Sequence, residues 1–405
     1  MKITIVLGAF LPVPPIMGGA VEKVWFALSQ EFARRGHEVV LVSRALPELP
    51  RSETRTGVKH LRVRGFDTPR SLLWLKFLDL IYSIRTLRVL SASSPFGRIR
   101  PVADRTDSSR GEPAADIIVT NTFWLPILLR NSRHGHVYVH VARYPKGQMR
   151  FYSKAARLQT PSHAVAQAVA AQAPKLAQKI AVIPYPAPGS TGELEPPPFA
   201  EREKTILFVG RVHPEKGVHL LVHAFANAAR TLFADWKLMI VGPAEKNYGG
   251  AGERYLAALK RSAEQAQDRI IFRGPLFDPI ALEREFRSAR LFVYPSLAEK
   301  GESFGLAPLE AMAHRCAVLV SNLDCFHDFI REGETGFIFN HRAANPVDAL
   351  RKKIENAMVD ETLLARVAEA GYRKSAEYSL SCVADQFLDD FNSLVRNSDA
   401  ATTGR

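Results

Sequence analysis

The chain has 405 residues, 46% of them apolar and 23% charged, with 3 cysteines and a formal net charge of +13. That length and apolar content suit two domains with sizeable cores, and Cys316, Cys325 and Cys382 lack zinc-type or redox spacing, so no disulfide framework or cysteine metal site is expected, only buried thiols. No stretch approaches the roughly 18 uncharged apolar residues of a spanning helix, and the opening MKITIVLGAF is too short and strand-like for a signal peptide, which reads as a cytoplasmic protein.

In chain order, short β-branched runs alternate with longer stretches of helical periodicity, the pattern of βα units on a parallel sheet. The first half predicts strands at ITIVLG, EVVLVS, KHLRVR, DIIVT, HVYVHV and KIAVIP; the second predicts them at TILFVG, KLMIVG, RIIFRG, RLFVYP, AVLVS and GFIFN. The N-terminal domain is expected over 1–184 and the C-terminal domain over 204–375, joined by a Pro- and Gly-rich linker at 185–203. A last amphipathic helix at 376–396 is expected to pack back on the N-terminal domain, with 397–405 a frayed tail. Two doubly wound domains would face a central cleft at the carboxyl ends of their strands.

Two segments of the first half stand apart. Residues 91–115 are polar, aperiodic and rich in Pro and Ser, as in a surface loop insertion. Just before them, 71–90 (SLLWLKFLDLIYSIRTLRVL) is apolar but interrupted by Lys76, Asp79, Arg85 and Arg88. It reads either as a helix covering the first sheet or as one lying on a membrane surface, with Leu73, Trp74, Phe77, Leu80 and Ile81 toward lipid. Residues 1–200 carry 27 Lys and Arg against 13 Asp and Glu, so the whole positive surplus lies there. The basic residues are scattered, with no recognition-helix, zinc-finger or RNP pattern, so nucleic acid is not expected as a partner; an anionic membrane surface or a lipid-linked phosphate fits better.

Two motifs in the second half carry chemistry. In FVGRVHPEKG (208–217) a strand ends in glycine, and Arg211 and Lys216 flank a Pro-containing turn before a helix, a good place to hold a diphosphate. In ESFGLAPLE (302–310) two carboxylates bracket a loop; Gly305 and Pro308 oppose an unbroken helix, so a helix is predicted to start near Ala307 or Pro308. Glu302 would then lie in the preceding loop and Glu310 in the first turns. Backbone amides and the helix dipole would meet an anion, and the two acids would accept hydrogen bonds from separate hydroxyl groups, as a sugar nucleotide requires.

Those two motifs, the AMAHR that follows (311–315), EGETGF (332–337) and the N-terminal GGAVEKVWFALSQEFARRGHEVVLVS (18–43) together resemble the retaining glycosyltransferases of the GT-B fold known as glycosyl transferases group 1, or glycosyltransferase family 4. The resemblance spans most of residues 1–395. It implies that Glu302 accepts from donor-sugar hydroxyls, that Glu310 binds the ribose, and that Arg211 and Lys216 neutralise the diphosphate as the sugar leaves. It implies amide contacts from Gly18 and Gly19 and from Ser303, Phe304, Gly305 and Leu306, and a wall for the base over Arg273–Leu276. His140 would hydrogen-bond a donor hydroxyl, and Arg143, Lys146 and Gln148 would lie on the acceptor side. The pattern departs from the family at Tyr185-Pro186-Ala187, at Asn322–Phe326 and at His314-Arg315.

The expected activity is transfer of a sugar, a hexose type of unit, from a nucleotide diphosphate sugar to a hydroxyl of a glycan or lipid-linked acceptor, with anomeric retention. No DxD-like pair follows a strand, and Arg211 with Lys216 can neutralise the leaving group, so neither metal nor cofactor is expected. A sugar-nucleotide epimerase or hydrolase of the same fold, and a non-catalytic nucleotide-sugar binding protein, stay open as alternatives.

Overall fold

The computed structural model describes residues 1–69, 71–92, 114–189, 197–228, 234–266 and 268–403. The chain forms two units, Met1–Tyr185 with Leu380–Arg405, and Pro186–Ser379.

Unit 1 runs β1 (Lys2–Val6), α1 (Ala20–Arg34), β2 (Glu38–Arg44), β3 (Ser52–Arg55), β4 (Val58–Val63), α2 (Leu72–Ala92), β5 (Ile117–Thr120), α3 (Leu125–Leu128), α4 (Asn131–His134), β6 (His136–His140), β7 (Arg157–Thr160), α5 (His163–Gln172) and β8 (Ile180–Val182). Its eight-stranded sheet has the order β3-β4-β2-β1-β5-β6-β7-β8, parallel except for the edge pair β3 and β4. In register, Ile3 lies between Val39 and Ile117, and Ile5 between Leu41 and Val119. These strands are continuous apolar runs because helices cover both faces of a parallel sheet. All six predicted strands form; β3 (SETR) and β7 (RLQT) are additional ones that their polar composition conceals.

The inward side of α2 buries Leu78, Asp79, Tyr82 and Leu90. Asp79 Oδ2 accepts the Phe123 and Trp124 backbone N–H groups at 3.1 Å each, and Trp124 Nε1 donates to the Lys76 carbonyl at 2.9 Å. Burial pushes the Asp79 carboxyl up to about 6. The outward side is also apolar: Leu72, Leu73, Trp74 and Phe77 are 67, 82, 53 and 48% exposed, with Trp74 and Phe77 stacked at 5.1 Å. The helix therefore covers the sheet and still presents an oily face. Most of the expected insertion at 91–115 lies outside the described residues.

Unit 2 runs β9 (Glu203–Val209), α6 (Val218–Ala228), β10 (Lys237–Val241), α7 (Glu253–Ala263), β11 (Ile270–Gly274), α8 (Pro279–Ser288), β12 (Ala289–Tyr294), α9 (Leu306–Ala313), β13 (Ala317–Ser321), β14 (Phe337–Phe339), α10 (Pro346–Val359) and α11 (Glu361–Ala376). Its sheet is wholly parallel in the order β11-β10-β9-β12-β13-β14, and its strands are the six predicted ones. The order reverses between β9 and β12. At such a switch point a ligand crevice forms outside the carboxyl ends of the two strands.

The last helix, α12 (Leu380–Thr403), packs in unit 1. Phe387 lies 5.1 Å from Trp25, Phe391 lies 4.9 Å from Tyr138, and Asp390 accepts from Tyr138 Oη at 2.8 Å and pairs with Arg157 at 2.5 Å. Helix continues through much of the segment expected to fray. Cys316 and Cys325 are buried, whereas Cys382 on α12 is exposed, contrary to the expectation of three buried thiols. No helix among the described residues is long and apolar enough to cross a membrane.

Candidate active site

The loops that follow β9 and β12 meet at the switch point of unit 2. After β9, His213 caps a short turn by accepting the Glu215 N–H at 3.3 Å, and Gly217 turns the chain into α6 in the left-handed region, φ 68°. A Cβ on Gly217 would sit 1.9 Å from the Pro295 carbonyl oxygen, so only glycine lets this loop reach the end of β12. The Leu297 N–H then donates to the Glu215 carbonyl at 2.7 Å, tying the loops together.

Lys216 and Glu302 are thereby juxtaposed, with Nζ 2.6 Å from Oε2 and side chains only 10 and 12% exposed. Burial works against the Lys216 ammonium, but the neighbouring Tyr294 and Glu302 outweigh it and raise its pKa, so the cation is held. Its Nζ also lies 5.3 Å over the Tyr294 ring. Arg211 stands beside it, donating to the Gly249 carbonyl at 2.7 Å and pairing with Glu215 at 2.5 Å. Beyond Glu302 the chain passes Ser303 and the buried Phe304 to Gly305, whose φ of 102° starts α9 at Leu306, one residue earlier than predicted. A Cβ there would strike Phe326 at 2.5 Å. No side chain caps this helix end, and Glu310 lies in its second turn.

A depression of about 160 Å³ adjoins Arg211 at the ends of β9, β10 and β11, lined by Gly210, Gly242, Leu276 and Phe277 among others. Gly242 is required there, since a Cβ would meet the Gly210 carbonyl at 1.9 Å. Leu276 thus faces a recess, whereas Arg273 turns to Glu285 at 3.4 Å. Tyr248 and Phe277, exposed aromatics that sequence reasoning did not single out, lie 5.5 Å apart beside it.

The remaining predicted residues belong to unit 1. Gly18 and Gly19 both have positive φ, 79° and 99°. A Cβ on Gly19 would strike Glu22 Oε2 at 2.2 Å, while one on Gly18 meets nothing within 4 Å, so Gly18 is required for backbone conformation alone. His140, expected at a donor hydroxyl, lies inside unit 1. Its ring is buried, edge-on to Trp25, with Nδ1 bonded to Gln159 Oε1 and Nε2 3.1 Å from Tyr185 Oη. Burial holds it down at about 4, so it is neutral, and both ring nitrogens lie within bonding distance of protein partners. Arg143 and Lys146 are exposed, and Gln148 Oε1 accepts the Lys146 N–H at 2.6 Å.

Two doubly wound units of this kind, the second with its acid–base pair at the switch point, define the GT-B fold. Sucrose-phosphate synthase from Thermosynechococcus elongatus superposes with a TM-score of 0.75 over 99% of this chain and 100% of that structure at 18% identity. Anabaena Alr3699/HepE, solved with UDP and glucose, gives 0.67 over 97% of this chain and all of that structure at 14% identity. Residues 192–374, within unit 2, match the family model of glycosyl transferases group 1. Phosphatidyl-myo-inositol mannosyltransferase from Mycobacterium tuberculosis is 33% identical over 196 residues, 47% of each chain. A lipopolysaccharide 1,2-N-acetylglucosaminetransferase from Salmonella typhimurium is 31% identical over 192 residues, 47% of this chain and 48% of that one. The match thus spans about half the length of these relatives.

Proposed function

We propose that the protein transfers a hexose-type sugar from a nucleotide diphosphate sugar to a hydroxyl of a glycan or lipid-linked acceptor, with retention at the anomeric carbon. The observation that carries this reading is the desolvated Lys216–Glu302 pair beside Arg211 at the switch point of unit 2. Lys216 and Arg211 neutralise the diphosphate as the bond from the anomeric carbon to the phosphate oxygen breaks. In a front-face displacement that oxygen takes the acceptor proton while the new glycosidic bond forms on the same face. Glu302 and Glu310 accept hydroxyl hydrogen bonds from the sugar and the ribose, and the recess at Leu276 receives the base. Two cations already meet the leaving group's charge, so we assign no step to a metal or cofactor. Relatives named for lipid and lipopolysaccharide acceptors support a membrane-linked acceptor.

We assign acceptor recognition to the Arg143, Lys146 and Gln148 loop, and peripheral attachment at an anionic, cytoplasmic membrane face to α2. The exposed Leu72, Leu73, Trp74 and Phe77, with Lys76 and Arg88 exposed among them, support that attachment.

A thermal-shift panel of UDP, GDP, ADP and TDP with their sugar conjugates, run with and without EDTA, tests the donor site. Saturating ligand at about 100 times its Kd adds roughly 2.7 kcal/mol, several degrees of midpoint. One nucleotide should stabilise the protein regardless of EDTA; no shift from any of them overturns the reading.

A further inference from the structure

Among the described residues, Glu302 is held through one oxygen. Oε2 lies 2.6 Å from Lys216 Nζ, 3.2 Å from Ser296 Oγ and 3.3 Å from Tyr294 Oη, and Oε1 takes part in none of these contacts. The donors are themselves fixed. The Tyr294 ring lies parallel to Phe208 at 5.7 Å and to Phe292 at 6.2 Å, with Phe326 edge-on at 6.2 Å, so its hydroxyl has one direction available. Ser296 Oγ accepts the Ala298 N–H at 3.4 Å, and its one proton has two acceptors in reach, Glu302 Oε2 at 3.2 Å and the Glu215 carbonyl at 3.4 Å, of which the carboxylate is the nearer and the charged one; the Ser296 carbonyl takes the Ser321 hydroxyl at 2.5 Å. That last contact anchors the β12 loop to the end of β13. Burial, reinforced by the Glu302 charge, raises the Tyr294 hydroxyl above its ordinary range, so it stays a donor throughout the working pH range.

From this geometry, and resting on the transferase reading, we propose that Tyr294 and Ser296 are positioning residues: with Lys216 they saturate Glu302 Oε2 and so reserve Oε1 for a donor-sugar hydroxyl. An unrestrained carboxylate rotates about its last bond and offers either oxygen; one with three donors on a single oxygen presents the other at a fixed place and angle. Sugars differing in one hydroxyl configuration are then discriminated by whether that hydroxyl reaches Oε1. The nucleotide is gripped also at Arg211 and the Leu276 recess, and Lys216 keeps its charge in the variants below, so nucleotide affinity depends on Tyr294 and Ser296 far less than sugar preference does.

The test uses Tyr294→Phe, Ser296→Ala, the double variant and Ser296→Thr, which keeps the hydroxyl. Binding of UDP, GDP and ADP and of their glucose and mannose conjugates is measured by calorimetry, with kcat and KM on the conjugate that turns over and a melting curve for each variant. Nucleoside diphosphate affinity should stay near its wild-type value, and the melting point should fall by no more than the few degrees that two lost buried hydrogen bonds cost. The double variant should lose about tenfold or more in kcat and in preference between epimeric sugars, and Ser296→Thr should recover most of the Ser296→Ala loss. Unchanged sugar preference and kcat overturn the proposal, as does a uniform loss of nucleotide and sugar affinity with a lowered melting point. A crystal structure of the ligand-free double variant separates this from the transferase reading. A Glu302 carboxylate turned from its wild-type place supports the device even if no nucleotide binds, and one that has not moved refutes it.

Discussion

Replacing Leu73, Trp74 and Phe77 together by serine should abolish vesicle binding while leaving the fold intact. All three side chains point outward from α2, at 82, 53 and 48% exposure, and the buried residues of the helix, Leu78, Asp79, Tyr82, Ser83, Thr86 and Leu90, are untouched. Fully burying such a side chain is worth about 1.5–3 kcal/mol, so weighting by exposure gives roughly 3–5 kcal/mol of gross attraction to a bilayer interior for the three. A loss of that size is a fall of roughly two to four powers of ten in the partition coefficient. Each cation near an anionic surface adds about 1 kcal/mol, which gives Lys76 and Arg88 a salt-dependent share and leaves attachment reversible. The assay is co-sedimentation with anionic and neutral vesicles at low and high salt, with a melting curve as the folding control. Wild type should bind anionic vesicles, less at high salt, and the triple variant neither kind. A triple variant that folds and still sediments with vesicles would refute the assignment of α2 to the membrane.

Lys216→Met strands the Glu302 carboxylate in a buried site and should cost about 3–5 kcal/mol, lessened by the Tyr294 and Ser296 donors; adding Glu302→Gln should return at least half of the lost melting temperature. Equal stability of the single and double variants would show that the pair is not coupled. Gly217→Ala should lower the melting point strongly and abolish nucleotide binding, because its Cβ meets the Pro295 oxygen at 1.9 Å; Gly18→Ala, with open space around it, should cost only the left-handed penalty of about 1–2 kcal/mol. Two buried groups of unit 1 titrate with opposite sign. Asp79, raised to about 6 from 3.8, binds its proton more tightly when folded, so its contribution falls as pH rises through that window. His140, lowered to about 4 from 6.5, favours the folded state above 6.5 and loses that contribution as pH falls toward 4. Each is worth on the order of 3 kcal/mol. Urea midpoints measured across this window should therefore fall more steeply on acidification in Asp79→Asn and less steeply in His140→Gln than in wild type. Parallel curves for all three proteins would refute both assignments.

The twelve predicted strands were legible because a parallel sheet covered on both faces demands uninterrupted apolar runs, and the sequence supplies them from ITIVLG to GFIFN. SETR escaped because an edge strand pairs on one side only, and RLQT because its buried Gln159 is satisfied by its own partners, donating to the Ile183 carbonyl at 2.6 Å. GRVHPEKG and ESFGLAPLE could be read as parts of one site, although Lys216 and Glu302 lie 86 positions apart, because each follows a strand at a switch point. What those motifs could not reveal is that the cation and the acid pair directly, or that Tyr294 and Ser296 share the same oxygen. Tyr294 carries no sequence signal beyond ending β12, and Ser296 none beyond following it in the loop. The inward turn of His140 was equally hidden. In HVYVH the valines and the Tyr138–His140 pair alternate between faces, and only the packing of α1 and α12 decides that the Tyr138–His140 face is dry as well.

The placement of α12 orders events during synthesis. Trp25, Phe32 and Tyr138 belong to the first half of the chain, yet their packing partners Phe387 and Phe391 are translated only after the whole of unit 2. A ribosome producing this chain at about 5–20 residues per second releases every strand of unit 2 while the aromatic face of α1 is still uncovered. Unit 2 can close its core on emergence, whereas the unit begun first is completed last, and its open face is the one a chaperone would meet.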